Sequence, residues 1–175
     1  MRETWQGVYF GNLFGFPIFA HRTLLALAPT LGFLVVVAGS TGDLVDRILV
    51  LIFLLASVLA HELAHAFAAR ASGVPVRHIA LTWFGGYAEF WARPARHWQE
   101  IAIALAGPLA NLAIGAGALL LVALFFPHAE QSWMEGGYLI IPYARQTDLL
   151  EDALRTLGWV NVTLGLFNLL PGLPL

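Results

Sequence analysis

The chain contains no cysteine, no lysine and few charges of either sign. Without cysteine there is no disulfide, no thiolate metal site and no cysteine nucleophile. A bound metal would have to be held by His, Asp or Glu. Charged residues make up 11% of the 175 residues, less than half the share in an ordinary globular domain, and hydrophobic residues make up 59%. The mean hydropathy is +0.74. This composition points to membrane insertion. The length suits one domain rather than two. With a net charge of −2, the chain shows no electrostatic footprint for a nucleic-acid partner. No cleavable signal peptide is expected, because Met1 to Gly11 lacks an apolar core after a basic region.

Four long apolar runs are present, at residues 23–38, 44–69, 101–126 and 153–170. About 20 apolar residues in a helix cross the hydrocarbon layer, so each run is read as a transmembrane helix. Residues 1–22 hold Gly7, Gly11, Gly15 and Pro17 among aromatics, which is strand and turn chemistry. Residues 76–91 alternate β-branched and aromatic side chains around Gly85-Gly86, which predicts a β-hairpin turning at those glycines. The fold expected is therefore an all-α polytopic membrane protein of about four transmembrane helices. It would add a short N-terminal β segment and a membrane-associated hairpin, all within a single core, residues 1–175.

Arginine placement suggests an orientation. The connection after the second run carries Arg70, Arg77, Arg93 and Arg96, whereas the one after the third carries only Arg145 among several acids. Both termini of the segment are then cytoplasmic, in a multi-pass protein expected in a prokaryotic cell membrane.

The second run is interrupted by His61-Glu62-Leu63-Ala64-His65. Four residues of spacing put the two imidazoles one helical turn apart on one face, where both can reach the same ion. Glu62, next to the first His, can contact a water beside the metal rather than the metal, and take its proton. The motif alone is a hypothesis, but its setting strengthens it. An ionisable group at the middle of an apolar span costs about 2.5–3.5 kcal/mol or more without a compensating partner, and a metal ion is such a partner. His61 lies nine residues before Arg70, about 13 Å inside the cytoplasmic end at the helical rise. The competing reading is a metal-free polar network between helices. A catalytic zinc usually has three protein ligands, and no third emerges from the residues alone. His21, His78 and His97 fall in connections and are read as surface or interfacial, and His128 falls on the opposite side. Asn111 and Asn168 sit deep in the third and fourth runs; each either bonds substrate or only bridges or caps helices. Gly107, Gly115 and Gly117 are read as close-packing positions.

Taken together, these segments resemble the site-2 protease family of intramembrane zinc metalloproteases, and the resemblance covers most of the chain. Besides His61 to His65, Phe84-Gly85-Gly86-Tyr87 is similar to the glycine pair of that family's re-entrant hairpin. Ala106-Gly107-Pro108-Leu109-Ala110-Asn111 is similar to its Gly-Pro-x-x-Asn element, and Gly15-Phe16-Pro17-Ile18 with His21 to the strand before its first helix. Asn168-Leu169-Leu170-Pro171-Gly172-Leu173-Pro174-Leu175 matches its Asn-x-x-Pro-x-x-Pro-x-Asp-Gly element up to the residue before the Asp. In the family that Asp is the third zinc ligand, so the chain reads as a piece ending just short of it, with weakened zinc binding. The resemblance implies a Zn2+ cofactor held by His61 and His65, Glu62 as the catalytic base, and Asn168 and Asn111 near the substrate carbonyl. It also implies a substrate segment pairing with the hairpin that carries Gly85 and Gly86. The partners expected are a substrate transmembrane helix and the lipid bilayer; a homo-oligomer is left open. The activity implied is that of a metalloendopeptidase of regulated intramembrane proteolysis. The rivals are a metalloprotease with a soluble catalytic domain, and a non-enzyme: an inactive zinc-binding scaffold or a transporter. A soluble catalytic domain would need a polar region the chain lacks. A transporter would need further ligands along its other spans.

Overall fold

A computed structural model describes residues 7–27, 29, 30, 32, 33, 41–83, 85–126 and 149–170. Strands β1 (Gly7–Leu13), β2 (Phe16–His21), β3 (Val76–Thr82) and β4 (Gly85–Phe90) form one sheet in the order β1-β2-β3-β4. The helices are α1 (Thr41–Ala71), α2 (His97–Phe125) and α3 (Leu149–Asn168), with a short 3-10 helix at Arg22–Ala26. Of the first apolar run, only its start and scattered helical residues up to Phe33 are described. Most of the polar connection after α2, and Pro171 to Leu175, lie outside the described residues.

The predicted N-terminal strand segment is a hairpin. Phe14 and Gly15, between β1 and β2, both take positive φ (53° and 85°), the turn geometry that follows the natural twist of paired strands. Phe14 is an unusual residue for that conformation, and Arg70 at the end of α1 braces it, donating to the Phe14 carbonyl at 2.9 Å while lying over the Phe16 and Phe67 rings. The hairpin does not stand apart from the second one. β2 pairs in parallel with β3 through Ile18–Ile79, Phe19–Ala80 and Ala20–Leu81. A parallel pair requires a long crossover, and the segment containing α1 is that crossover.

The second hairpin turns earlier than the sequence suggested. Gly85 and Gly86 are not the turn but the first residues of β4, opposite Thr82 and Leu81. Gly86 is needed in the strand because it passes directly beside α1.

α1 packs one face on the sheet through Leu63 and Ala66 against Phe16, Ile18 and Ile79, all buried. It ends in a glycine cap: Gly73 takes φ 76°, Val74 N–H donates to Ala69 O and Gly73 N–H to Arg70 O. Gln99 then fastens the start of α2, its side-chain oxygen accepting from the Ala95 and Arg96 amides while its amide donates to Ser72 O. Among the described residues two helices are long and apolar enough to cross a membrane, Arg47–Ala71 within α1 and all of α2; only 17% and 28% of their most apolar windows are buried. Ile52, Leu109, Leu120 and Leu124 are exposed on their outer faces. An apolar face left open at this scale marks contact with lipid or protein rather than with water.

α3 lies against α2 at backbone distance. A methyl group on Gly115 would meet Gly158 O at 2.9 Å, and one on Gly165 would meet Pro108 O at 3.0 Å. Gly115 is thus a packing glycine as expected, whereas nothing among the described residues lies within 4 Å of the open side of Gly117.

Candidate metal centre

The His61 and His65 side chains converge. Their Nε2 atoms are 3.0 Å apart, with ring planes at 80°. Two nitrogens bound tetrahedrally to one zinc at 2.0–2.1 Å stand about 3.3 Å apart, so the pair fits a shared ion with a small spread. The tautomer of His65 is set by its other nitrogen: Nδ1 donates to Ile103 O of α2 at 2.5 Å, leaving the Nε2 lone pair free to ligate. Pro108 lies inside α2 and supplies no amide to the turn before it, so the helix ladder is interrupted close to the carbonyl that His65 uses. Gly107 provides the space. A methyl group there would overlap His65 Nε2 and fall 2.6 Å from His61 Nε2. The helix backbone itself therefore walls the metal position.

Glu62 is buried at 7% exposure, facing β4. A methyl group on Gly86 would lie 2.5 Å from its Cγ and 3.1 Å from Oε1. Ala88 stands opposite Ile79, and the Trp91 N–H to Pro75 O bond fixes the phase of the ladder. Alternation from that bond past the bulge at Val76–His78 makes Ala88 and Gly86 non-hydrogen-bonded positions. Their amides point away from β3, along the open edge of the sheet.

The remaining predicted residues are placed as follows. Asn111 is fully buried one turn beyond Gly107, and both its amide atoms lack a hydrogen-bond partner among the described residues. Asn168 is the last residue of α3, with its side-chain oxygen buried and likewise unpartnered. Gly85 takes φ 139° at the start of β4. Among the described residues no third His, Asp, Glu or Cys joins the two imidazoles. His78, read as surface or interfacial, is buried on β3 at 2% exposure, with Nδ1 3.2 Å from Glu89 Oε2, and Glu89 also pairs with Arg77 at 2.8 Å. Burial holds the His78 imidazole below its ordinary pKa, against the pull of Glu89. The sequence reading also passed over two buried polar pairs: Glu151 with Arg155 on α3, and Ser57 of α1 with Asn161 of α3. The second pair carried a signal, since both are polar residues inside apolar runs.

Two imidazoles sharing one point, with a carboxylate on the next residue, are the donor set of a metal-dependent hydrolase. The sequence profile of peptidase family M50 matches residues 49–175, and the chain belongs to that family. It is 32% identical to the zinc metalloprotease MJ0392 of Methanocaldococcus jannaschii over 166 residues, covering 94% of this chain and 41% of that protein. It is also 32% identical to sll0528 of Synechocystis sp., provisionally named a zinc metalloprotease, covering 94% and 40%. The chain thus spans about two fifths of these relatives. A solved site-2 protease from Methanocaldococcus jannaschii superposes with a TM-score of 0.68 at 28% identity, covering 96% of this chain and 66% of that one.

Proposed function

We propose that this chain is the core of a zinc metalloendopeptidase that hydrolyses peptide bonds of substrate transmembrane helices within the bilayer. The observation that carries the reading is the 3.0 Å approach of the His61 and His65 Nε2 atoms inside an apolar helix, with Glu62 beside them. His61 and His65 hold the ion. Zinc, when bound, supplies a Lewis acid that polarises the scissile carbonyl and acidifies water. Glu62 takes the proton of the attacking water and returns it to the leaving amine. The names of the relatives support zinc as the metal.

The substrate helix unwinds locally and adds as a strand to the free edge of β4, whose outward amides at Gly86 and Ala88 run past Glu62. This pairing brings a peptide bond to the base and the metal position together. Asn168 and Asn111 stand as donors to the substrate carbonyl. The chain crosses the membrane four times with both ends of the segment cytoplasmic, and water enters from that side. The placement of Arg70, Arg77, Arg93 and Arg96 supports this orientation.

The test is Glu62→Gln in the intact protein in membranes. Zinc content should stay at the native level while cleavage of a reporter transmembrane helix disappears, and a chelator should abolish native cleavage. Cleavage that survives both treatments would rule the reading out.

A further inference from the structure

The relative directions of the three helices can be read from their contacts. His65 meets Ile103, and Gly107 lies against both His61 and His65, so α1 and α2 run antiparallel. Gly115 meets Gly158 and Val162, and Gly165 meets Pro108 and Leu112, so α2 and α3 run antiparallel as well. α1 and α3 therefore run in the same direction, and their direct contact, Ser57 with Asn161, pairs residues 104 apart in sequence.

That direct contact is a buried hydrogen bond. Asn161 Nδ2 donates to Ser57 Oγ at 2.8 Å and to Leu157 O of its own helix at 2.9 Å. Ser57 donates its own proton to Phe53 O at 2.6 Å. Both groups facing Asn161 Nδ2 are therefore acceptors, which fixes the amide with its NH2 toward α1 and leaves no freedom to flip. Asn161 is 0% and Ser57 2% exposed. Ser57 stands one turn before His61 on the same face of α1, and Asn161 two turns before Asn168 on the same face of α3. The α2–α3 contact seats the Val162, Leu119 and Leu112 side chains over Gly115, Gly158 and Gly165, close apolar packing. The Ser57–Asn161 bond adds the directional polar contact between α1 and α3.

We infer that the Ser57–Asn161 hydrogen bond sets the height of α3 against α1, and so the level at which Asn168 is presented to His61 and His65. The two are positioning residues, and their catalytic consequence rests on the proteolytic reading above. With the bond in place, Asn168 falls level with Ala64, between the two imidazoles. In hydrocarbon, a slip that breaks this bond strands buried polar groups, so the bond adds a polar penalty to any change of register.

The experiment uses the intact protein in lipid nanodiscs. The chain has no cysteine, so spin labels are introduced at Ile52→Cys on α1 and Phe167→Cys on α3, where both native side chains are exposed. The interspin distance is measured in the native background and with Ser57→Ala, Ser57→Thr and Asn161→Leu. Ser57→Ala and Asn161→Leu should shift or widen the distance distribution on the scale of a slip of one residue to one turn, about 1.5–5.4 Å, and Ser57→Thr should preserve it. Reporter cleavage in the same variants without the labels should lose kcat by about 10- to 100-fold with KM unchanged, with Thr again native-like. Unchanged distances in Ser57→Ala and Asn161→Leu overturn the inference, and so does an altered distance with native kcat. If the native protein cleaves nothing, the proteolytic reading fails by itself, and the distance measurement still decides the register.

Discussion

Gly107 of α2 is positioned so that the smallest possible side chain would occupy the point on which His61 and His65 converge: its Cβ would sit 2.6 Å from His61 Nε2 and overlap His65 Nε2. Gly107→Ala therefore competes with the metal for one volume. Adding a methylene in a packed interior costs about 1–3 kcal/mol where it forces displacement, and here the groups displaced are the ligands. Zinc affinity, measured by competition with a chromophoric chelator, should fall by about 100-fold or more. Ala at Gly117, which has nothing within 4 Å among the described residues, should leave it unchanged. Native affinity in Gly107→Ala would remove the metal from this position.

The same reasoning separates the base from the ligands at Gly86. The three atoms nearest a methyl group there are Glu62 Cγ, Cδ and Oε1. Gly86→Ala should turn the carboxylate away and lower kcat by about 100-fold, within the range of positioned acid–base catalysis, while zinc content stays native. Loss of zinc with loss of rate would show instead that the strand supports the whole centre.

Much of this arrangement was legible in the sequence, and what was not has a common physical origin. The His-Glu-His spacing is local and periodic, so it announced a shared face before any fold was known. The apolar runs announced α1 and α2, though the stretch at α3 hid Glu151 and Arg155, which neutralise each other one turn apart. Gly85 and Gly86 were read as a turn because glycine commonly makes turns. Gly86 is glycine because Glu62 crosses the strand there, a long-range contact that leaves no local trace. The parallel pairing of β2 with β3 joins residues about 60 apart and has no turn to signal it. His78 was read as surface or interfacial from its place in a connection, and the sheet buries it between Phe19 and Tyr87.

That burial carries a pH consequence. The folded protein holds His78 neutral, below its ordinary value of 6.5, because burial outweighs Glu89 and Arg77 adds repulsion. As pH falls past 6.5 the unfolded chain takes up a proton that the folded sheet resists. The stability contributed by neutral His78 is therefore complete above 6.5 and is lost as the pH falls through the folded pKa. Thermal unfolding followed from pH 7.5 to 5 should show a falling midpoint. His78→Phe, which keeps an aromatic ring against Phe19, should flatten that dependence. An equal slope in the variant would assign the acid sensitivity to other groups.

The last expectation concerns the free edge of β4. A proline removes one amide hydrogen, and at an outward-facing edge position it does so without costing the sheet a ladder bond. Ala88 is such a position, whereas Tyr87, paired with Ala80 in the next step of the ladder, donates inward. Ala88→Pro should keep the sheet and its zinc while cutting kcat/KM for a reporter helix by about 10-fold or more, because a strand added at the edge loses a partner. Tyr87→Pro should instead lower the melting temperature, by breaking a bond within the sheet. Amide exchange of β3 distinguishes the two, remaining slow in Ala88→Pro and becoming fast in Tyr87→Pro. If Ala88→Pro kept native kcat/KM with β3 still protected, substrate would not bind by extending this sheet, and the peptide would have to approach Glu62 from the side of α3.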